Sequence, residues 1–401
     1  MKLIDVCELI VDCPHSTAKD EGQGIPLVRT PNIGKGRLEL SGVHRVSEDI
    51  YNQRIERAVP QAGDLILARE APVGNVALIM PGQKVCLGQR VVLIRPDKEK
   101  ADAAYLTYYL LSEEVQYRLK NNANGAVVAH LNMNEIRNLA IDLPELSIQK
   151  RIASILSSLD DKISINNRIN HNLEEQAQAL YKSWFVDFEP FKGGEFADSE
   201  LGLIPAGWRV GTLSELGDIV AGGTPSKSKP EYYTNNGIAW LTPKDLSVKC
   251  NKFTARGETD ITEDGYKNSS AKLMPRGSVL FSSRAPIGYI SIAKGYICTN
   301  QGFKSVVPTY AGTAYIYYWL LENTDAIESQ ASGSTFKEAS GSLMKSFPAL
   351  VPEKSVLDSF EKELAPILNE QEVLEKEIYH AEQIRNSLLP RLMSGELVMN
   401  C

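Results

Sequence analysis

A strand-turn-strand signature occurs twice in this chain, about half its length apart, and this duplication constrains the fold more than any other feature. Residues 63–78 read GDLILAREAPVGNVAL and residues 277–292 read GSVLFSSRAPIGYISI. Laid together, Gly, Ala, Pro and Gly coincide and the apolar positions match in kind. The repeat continues on both sides. Thr30-Pro31 recurs as Thr242-Pro243, Cys86 and Gln89 as Cys298 and Gln301, and YLTYYLL at 105–111 as YIYYWLL at 315–321. NGA at 124–126 recurs as SGS at 332–334, and DLPE at 142–145 as LVPE at 350–353. So long a period denotes duplicated domains, because solenoid repeats run to only about 20–50 residues.

Each block is expected to mix α and β. Short Val-, Ile- and Leu-rich runs such as DLILA and QRVVLIRP, bounded by Gly and Pro, predict strands, and Pro72 with Gly74 suits the turn between two of them. YLTYYLLSEEVQYRL has helical spacing. A long periodic segment follows each block. In the first, Ile148, Ile152, Ile155, Leu159, Ile163, Ile169, Leu173, Ala177, Leu180 and Trp184 form the apolar stripe. It predicts a helix of about 37 residues, roughly 55 Å long, suited to a coiled-coil arm. The second keeps Leu364, Ile367, Leu374, Ile378, Ala381, Ile384 and Leu388, with a kink or break expected at Pro366. Two such stripes most simply bury each other. The expected organisation is a first block at 1–143, a helical spacer at 144–188, a linker and second block at 189–351, and a second helix at 352–401.

The net charge of −7 argues at first against nucleic acid. Yet residues 1–143 carry 17 basic and 18 acidic side chains and residues 192–351 carry 16 and 15, whereas residues 352–401 carry 5 and 10. Near-neutral blocks permit a basic face without demonstrating one. The six cysteines form no CxxC pair and the five histidines are scattered, which argues against a zinc site or a disulfide framework. No apolar run reaches membrane-spanning length, and MKLIDVCELIVDCPHS lacks signal-peptide features, so a cytoplasmic location is expected. Phosphate-loop, HExxH and GxSxG signatures are missing, as is the Asn/Asp-Pro-Pro-aromatic tetrapeptide of amino-methyltransferases. Asp160-Asp161-Lys162 lies in the helical stripe, where it reads as a solvated face. A duplicated chain without a reaction centre reads as a binding module, for nucleic acid or, as an adaptor, for other proteins.

These residues resemble a known family. LSIQKRIASILSSLDDKISINNRINHNLEEQAQALYKSWFVDF at 146–188 resembles the first conserved helical region of type I restriction-modification specificity subunits. IPAGWRVGTLSELGDIVAGGTPSKSKPEYYTNNGIAWLTPKDL at 204–246 is similar to the start of their second target-recognition domain, and LLPRLMSGEL at 388–397 to their C-terminal helix end. The likeness covers nearly the whole chain. It departs at the second helix, where EKSVLDSFEKELAPIL replaces the Gln-x-Arg-Ile opening of the first. The resemblance implies an α+β fold with two duplicated mixed α/β target-recognition domains, separated by a pair of long antiparallel coiled-coil helices. It implies a non-catalytic subunit reading a bipartite, asymmetric site on double-stranded DNA, one half per domain. The helices would dock two adenine methyltransferase subunits, and motor-nuclease subunits would complete the restriction enzyme. S-adenosylmethionine, ATP and magnesium would belong to those partners, with no cofactor or metal in this chain.

Recognition domains combine phosphate contacts, which position, with base-edge contacts, which specify. The expected contacts are Arg29, Thr30, Asn32, Lys35, Arg69 and Arg90 in the first block. In the second they are Lys227, Lys229, Thr242, Lys244, Arg284, Gln301 and Lys304. Arg and Lys suit guanine edges or phosphates, and Asn32 or Gln301 suits adenine. The Gly-Gly-Thr-Pro-Ser loop at 222–226 is flexible enough to approach a backbone. Tyr232, Tyr233 and Trp240 are expected to pack in the core.

Overall fold

The computed structural model describes residues 1–121, 130–248, 251–333 and 337–397. Two compact units emerge, residues 1–164 with 380–401, and residues 165–379. The repeat partner at 124–126, and Cys250 and Cys401, lie outside the described residues.

Unit one is built on a five-stranded sheet in the order Cys7–Asp12, Val91–Pro96, Leu65–Ala68, Val76–Leu78, Gly36–Arg37. All neighbours are antiparallel except the last pair, which is parallel. Leu65 and Leu67 enter one core with Tyr105 and Leu106, while Ile66 and Ala68 enter another with Val28 and Ile33. Burial on both faces explains why these runs show no polar alternation.

Unit two repeats the order with Gly217–Ala221, Lys304–Pro308, Val279–Ser283, Ile287–Ala293 and Phe253–Thr254, again antiparallel but for the last pair. The parallel pair Ile25–Val28 and Cys86–Leu87 recurs as Trp240–Leu241 and Cys298–Thr299. The repeated motif is therefore the central hairpin of each sheet. Both its turns carry a cis Ala-Pro peptide, with φ of 22° at Ala71 and 52° at Ala285. Burial pushes the thiols of the matching Cys86 and Cys298 up to about 11 and about 12, leaving them as packing groups.

The long helices are Leu146–Phe185 and Lys354–Met393, 40 residues each, or about 60 Å at 1.5 Å per residue. In unit one, Ile152, Ala153 and Leu156 of the first share a core with Leu392 of the second. In unit two, Tyr181 and Phe185 pack with Leu357, Phe360 and Leu364, and the Phe185 ring lies 4.8 Å from both Phe360 and Tyr315. Within each unit the start of one helix meets the end of the other, so the pairing is antiparallel.

Three expectations give way. Of the kink or break expected at Pro366, the break is absent, since the second helix is assigned as one element through it; Pro366 and Lys362, whose carbonyl loses its amide partner there, are both exposed, so water can take that bond. The apolar stripe does not persist, since Ile169 and Ile384 are 41% and 50% exposed while Asp160, Asn166 and Gln371 are buried. In their place Arg385 bonds Asp160 at 2.7 Å in unit one, and Asn166 donates to Glu377 at 2.9 Å in unit two. Finally, the helical stretch after the first sheet divides at Ser112 into Ala103–Leu111 and Glu113–Asn121. The Ser112 hydroxyl donates to the Tyr109 carbonyl at 2.7 Å, a local bond that competes with helix continuation.

Candidate nucleic-acid interface

In unit one the strand Leu65–Ala68 runs into Arg69, whose N–H donates to the Arg90 carbonyl at 3.0 Å and whose carbonyl accepts from Leu131 at 3.1 Å. Three segments therefore meet at one end of the sheet. Arg69 is 6% exposed, and its guanidinium reaches Asp12 at 2.6 Å, the Leu131 carbonyl at 2.8 Å and His130 at 2.7 Å. His130 bonds Glu70 at 2.7 Å, and Glu70 also pairs with Arg90 at 3.0 Å. A guanidinium can only donate, so the ring nitrogen facing Arg69 accepts and the other donates to Glu70. Arg69 thus anchors the turn from inside. Arg90, in the left-handed region at φ 67° and 56% exposed in its side chain, is the cation presented to solvent.

Beside this end, Gly88 donates to the Val28 carbonyl at 2.7 Å and brings in the segment of Arg29, Thr30 and Asn32. Asn32 turns inward, accepting from the Arg29 N–H at 3.1 Å and donating to the Glu39 carbonyl at 3.4 Å. The Arg29 Nε is buried without a partner. Gln89 donates to the Thr17 hydroxyl at 2.8 Å.

Unit two keeps the register and changes the side chains. The Ser283 N–H donates to Gly302 at 2.7 Å and its carbonyl accepts from Ala339 at 2.9 Å. Ser283 stands where Arg69 does, Arg284 where Glu70 does, and Glu338 where His130 does. Glu338 pairs with Arg284 at 3.6 Å and Lys304 at 3.1 Å, so the polarity of the turn pair is reversed. Gln301 accepts from the Thr224 hydroxyl, whereas Gln89 donates to that of Thr17. Thr242 directs both its N–H and its hydroxyl to Asp245, each at 2.7 Å.

The glycines of the 222–226 loop serve close packing rather than approach to a ligand. A Cβ at Gly222 would collide with the Asn300 carbonyl, and one at Gly223 with the Ser270–Ala271 backbone. Trp240 Nε1 donates to the Gly223 carbonyl at 3.0 Å and the Tyr233 hydroxyl to the Pro225 carbonyl at 2.6 Å, so these aromatics hold the loop. Lys35 and Lys227 are exposed. Lys229 donates to the Tyr232 hydroxyl at 3.0 Å, and Lys244 lies 3.4 Å from Glu258.

Sequence reasoning brought together Arg69 with Arg90 and Arg284 with Lys304, but missed the groups that link them, Glu70, His130 and Glu338. It also missed Thr17, and named Thr224 only as part of the 222–226 loop, not as a partner of Gln301. The Glu70-to-Arg284 reversal is visible in the aligned motif; the partners are distant in sequence and carry no local signal.

The signature of the type I restriction modification DNA specificity domain matches residues 1–175 and again residues 205–376. The chain belongs to this family. It is 36% identical over 192 residues to the type I restriction enzyme MjaIX specificity subunit of Methanocaldococcus jannaschii, an alignment covering 45% of this chain and 44% of that protein. It thus spans less than half the length of that relative. It is 24% identical over 400 residues to the HindI specificity subunit of Haemophilus influenzae, covering 84% and 86% of the two chains. The fold matches a type I restriction-modification S subunit from M. genitalium with a TM-score of 0.67 at 15% identity, covering 98% and 95%. The chain accordingly groups with the specificity subunits of type I restriction enzymes. Among the described residues, no helix is long and apolar enough to cross a membrane.

Proposed function

We propose that each unit of this specificity subunit reads one half of a bipartite, asymmetric DNA site, through groups at the matching end of its five-stranded sheet. The observation that carries this reading is the shared strand order with unlike side chains at corresponding positions: Glu70 against Arg284, His130 against Glu338, Arg69 against Ser283. One scaffold used twice addresses two half-sites of a duplex, as dimeric readers do. Different edge groups then select different bases. Arg90 and Arg284, with Lys35 and Lys227, are the exposed donors for phosphates or guanine edges. The paired long helices are the surface for two adenine methyltransferase subunits and set the unread gap. S-adenosylmethionine, ATP and magnesium enter with those subunits and with the motor-nuclease subunits. A protein-binding adaptor role is not favoured by the family.

Mapping methylated adenines in cells carrying the complete system tests this reading. The expected motif has two different halves separated by a fixed gap. A palindromic motif with identical halves would overturn it.

A further inference from the structure

Lys252 is a buried cation in unit two that plays no part in the strand-end cluster. It precedes the edge strand Phe253–Thr254 and is 7% exposed. Its Nζ lies 2.6 Å from Glu174, 2.9 Å from Gln371 Oε1 and 2.5 Å from the Tyr318 hydroxyl. An ammonium has three donors, and these acceptors take all three. Nζ is also 4.6 Å from the ring centroids of Tyr317 and Tyr318, within cation–π range.

The partners come from three separate elements. Glu174 belongs to the first long helix, Gln371 to the second, and Tyr318 to the helix Thr313–Gln330 of the recognition block. They also bond one another, Gln371 donating to Glu174 at 3.0 Å and Tyr318 to Glu174 at 3.2 Å. The N–H groups of Lys252 and Phe253 donate to Glu375 of the second long helix at 2.8 and 3.2 Å. Burial acts to raise the Glu174 carboxyl, but the Lys252 charge and hydrogen bonds from Lys252, Gln178 and Gln371 outweigh it and hold Glu174 below its usual range. Burial depresses Lys252 in turn, and Glu174 opposes that depression.

A buried ion pair contributes little net stability compared with apolar packing, because desolvation offsets attraction. What a fully bonded one does is penalise every other arrangement of its partners, as a polar group in a coiled coil fixes register. Unit one also ties its block to both long helices. Tyr108, the partner of Tyr318 in the repeat, donates to Asp160 at 2.5 Å, and Arg385 bonds the same carboxylate at 2.7 Å. It places no buried lysine before its edge strand, however. Phe253 pairs with Ile292 and Arg37 with Leu78, residues that coincide in the repeated motif, so Lys252 falls where unit one has Gly36.

We propose that Lys252 is a positioning residue that locks the second recognition block to both long helices in a single orientation, and so fixes the spacing at which the second half-site is read. This rests on the half-site reading above. The complex with its methyltransferase subunits, carrying wild-type chain, Lys252→Met, or Lys252→Met with Glu174→Gln, is assayed on duplexes with the native gap and with gaps one base pair longer and shorter. The single variant should keep the same bases but lose roughly tenfold or more of its preference for the native gap, the size of a lost charge-assisted hydrogen bond. Affinity for random duplex and its salt slope should be unchanged, since Lys252 is buried. The double variant leaves no unpaired carboxylate, so its melting temperature should recover while gap preference stays lost.

Unchanged gap preference in a folded variant would overturn the proposal. So would a parallel loss on all sequences with a salt slope reduced by about one, which marks a phosphate contact. Failure of both variants to fold would assign Lys252 to folding rather than positioning. Absence of sequence preference in the wild-type complex would instead sink the half-site reading itself.

Discussion

The two recognition blocks share a strand order and differ in how each is tied to the helices. In unit one the edge-strand cation, Arg37, reaches Asp161 at 2.5 Å with side chains 32% and 54% exposed, and the buried tie is made apart from it, by Tyr108 and Arg385 on Asp160. In unit two Lys252, one register position earlier, is enclosed by Glu174, Gln371 and Tyr318. The duplicated frame holds both because the edge strand is short and parallel in each, so few ladder bonds fix which neighbouring side chain meets the helices. The teaching is that duplication preserves the hydrophobic scaffold, while polar attachments are rebuilt separately.

The sharpest way to break this comparison is to remove the cation on each side. Lys252→Met strands a partly buried carboxylate, Glu174, 22% exposed, and should cost about 3 kcal/mol, whereas Arg37→Met should cost less than about 1 kcal/mol, because exposed pairs are screened. Urea unfolding of both variants checks it; equal losses would mean that burial does not distinguish the ties.

A second contrast separates the turns. Arg69→Leu leaves the partly buried Asp12 with only the exposed His15, at 3.2 Å, beside it, and should lower stability by about 3 kcal/mol with little effect on DNA affinity per folded molecule. Arg284→Ala should leave stability within about 0.5 kcal/mol yet weaken specific binding by about 1–3 kcal/mol if it meets a base. Denaturation midpoints beside duplex titrations resolve the two, and a binding loss from Arg69→Leu would return that side chain to the interface.

The smallest effect is in acid. Glu174 is held below its usual range, mainly against burial by Lys252, so its contribution is present above the unfolded value and lost as pH falls through the lower folded one. The stability gap between wild type and Glu174→Gln should therefore narrow below the usual carboxylate value of 4.5. Glu361 and Glu375, raised chiefly by burial, act in the opposite sense in both proteins and cancel from that difference.

Much of the scaffold was legible because apolar periodicity is local. The hairpins, the paired Cys and Gln positions and both long helices follow from runs and spacings read along the chain. The polar layers were not, because Asp160, Asn166 and Gln371 are ordinary surface residue types until a distant segment covers them. The cations at the strand ends could be named, yet their fate depends on carboxylates far away in sequence. Arg69 and Arg284 look alike in the motif, but Asp12 draws one inside and Glu338 leaves the other 37% exposed.

The reversed polarity of the two turns has a consequence for how a chain with two look-alike halves folds. Such chains risk pairing a segment from one half with the frame of the other while both are incomplete. The segment bearing His130 and the segment bearing Glu338 dock by the same backbone bonds, to Arg69 and Ser283 respectively. Were the His130 segment to settle on the second turn, Glu338 would be displaced, and Arg284 and Lys304 would lose the carboxylate they share. They would face an imidazole instead. The second turn is therefore fully paired only by its own returning segment.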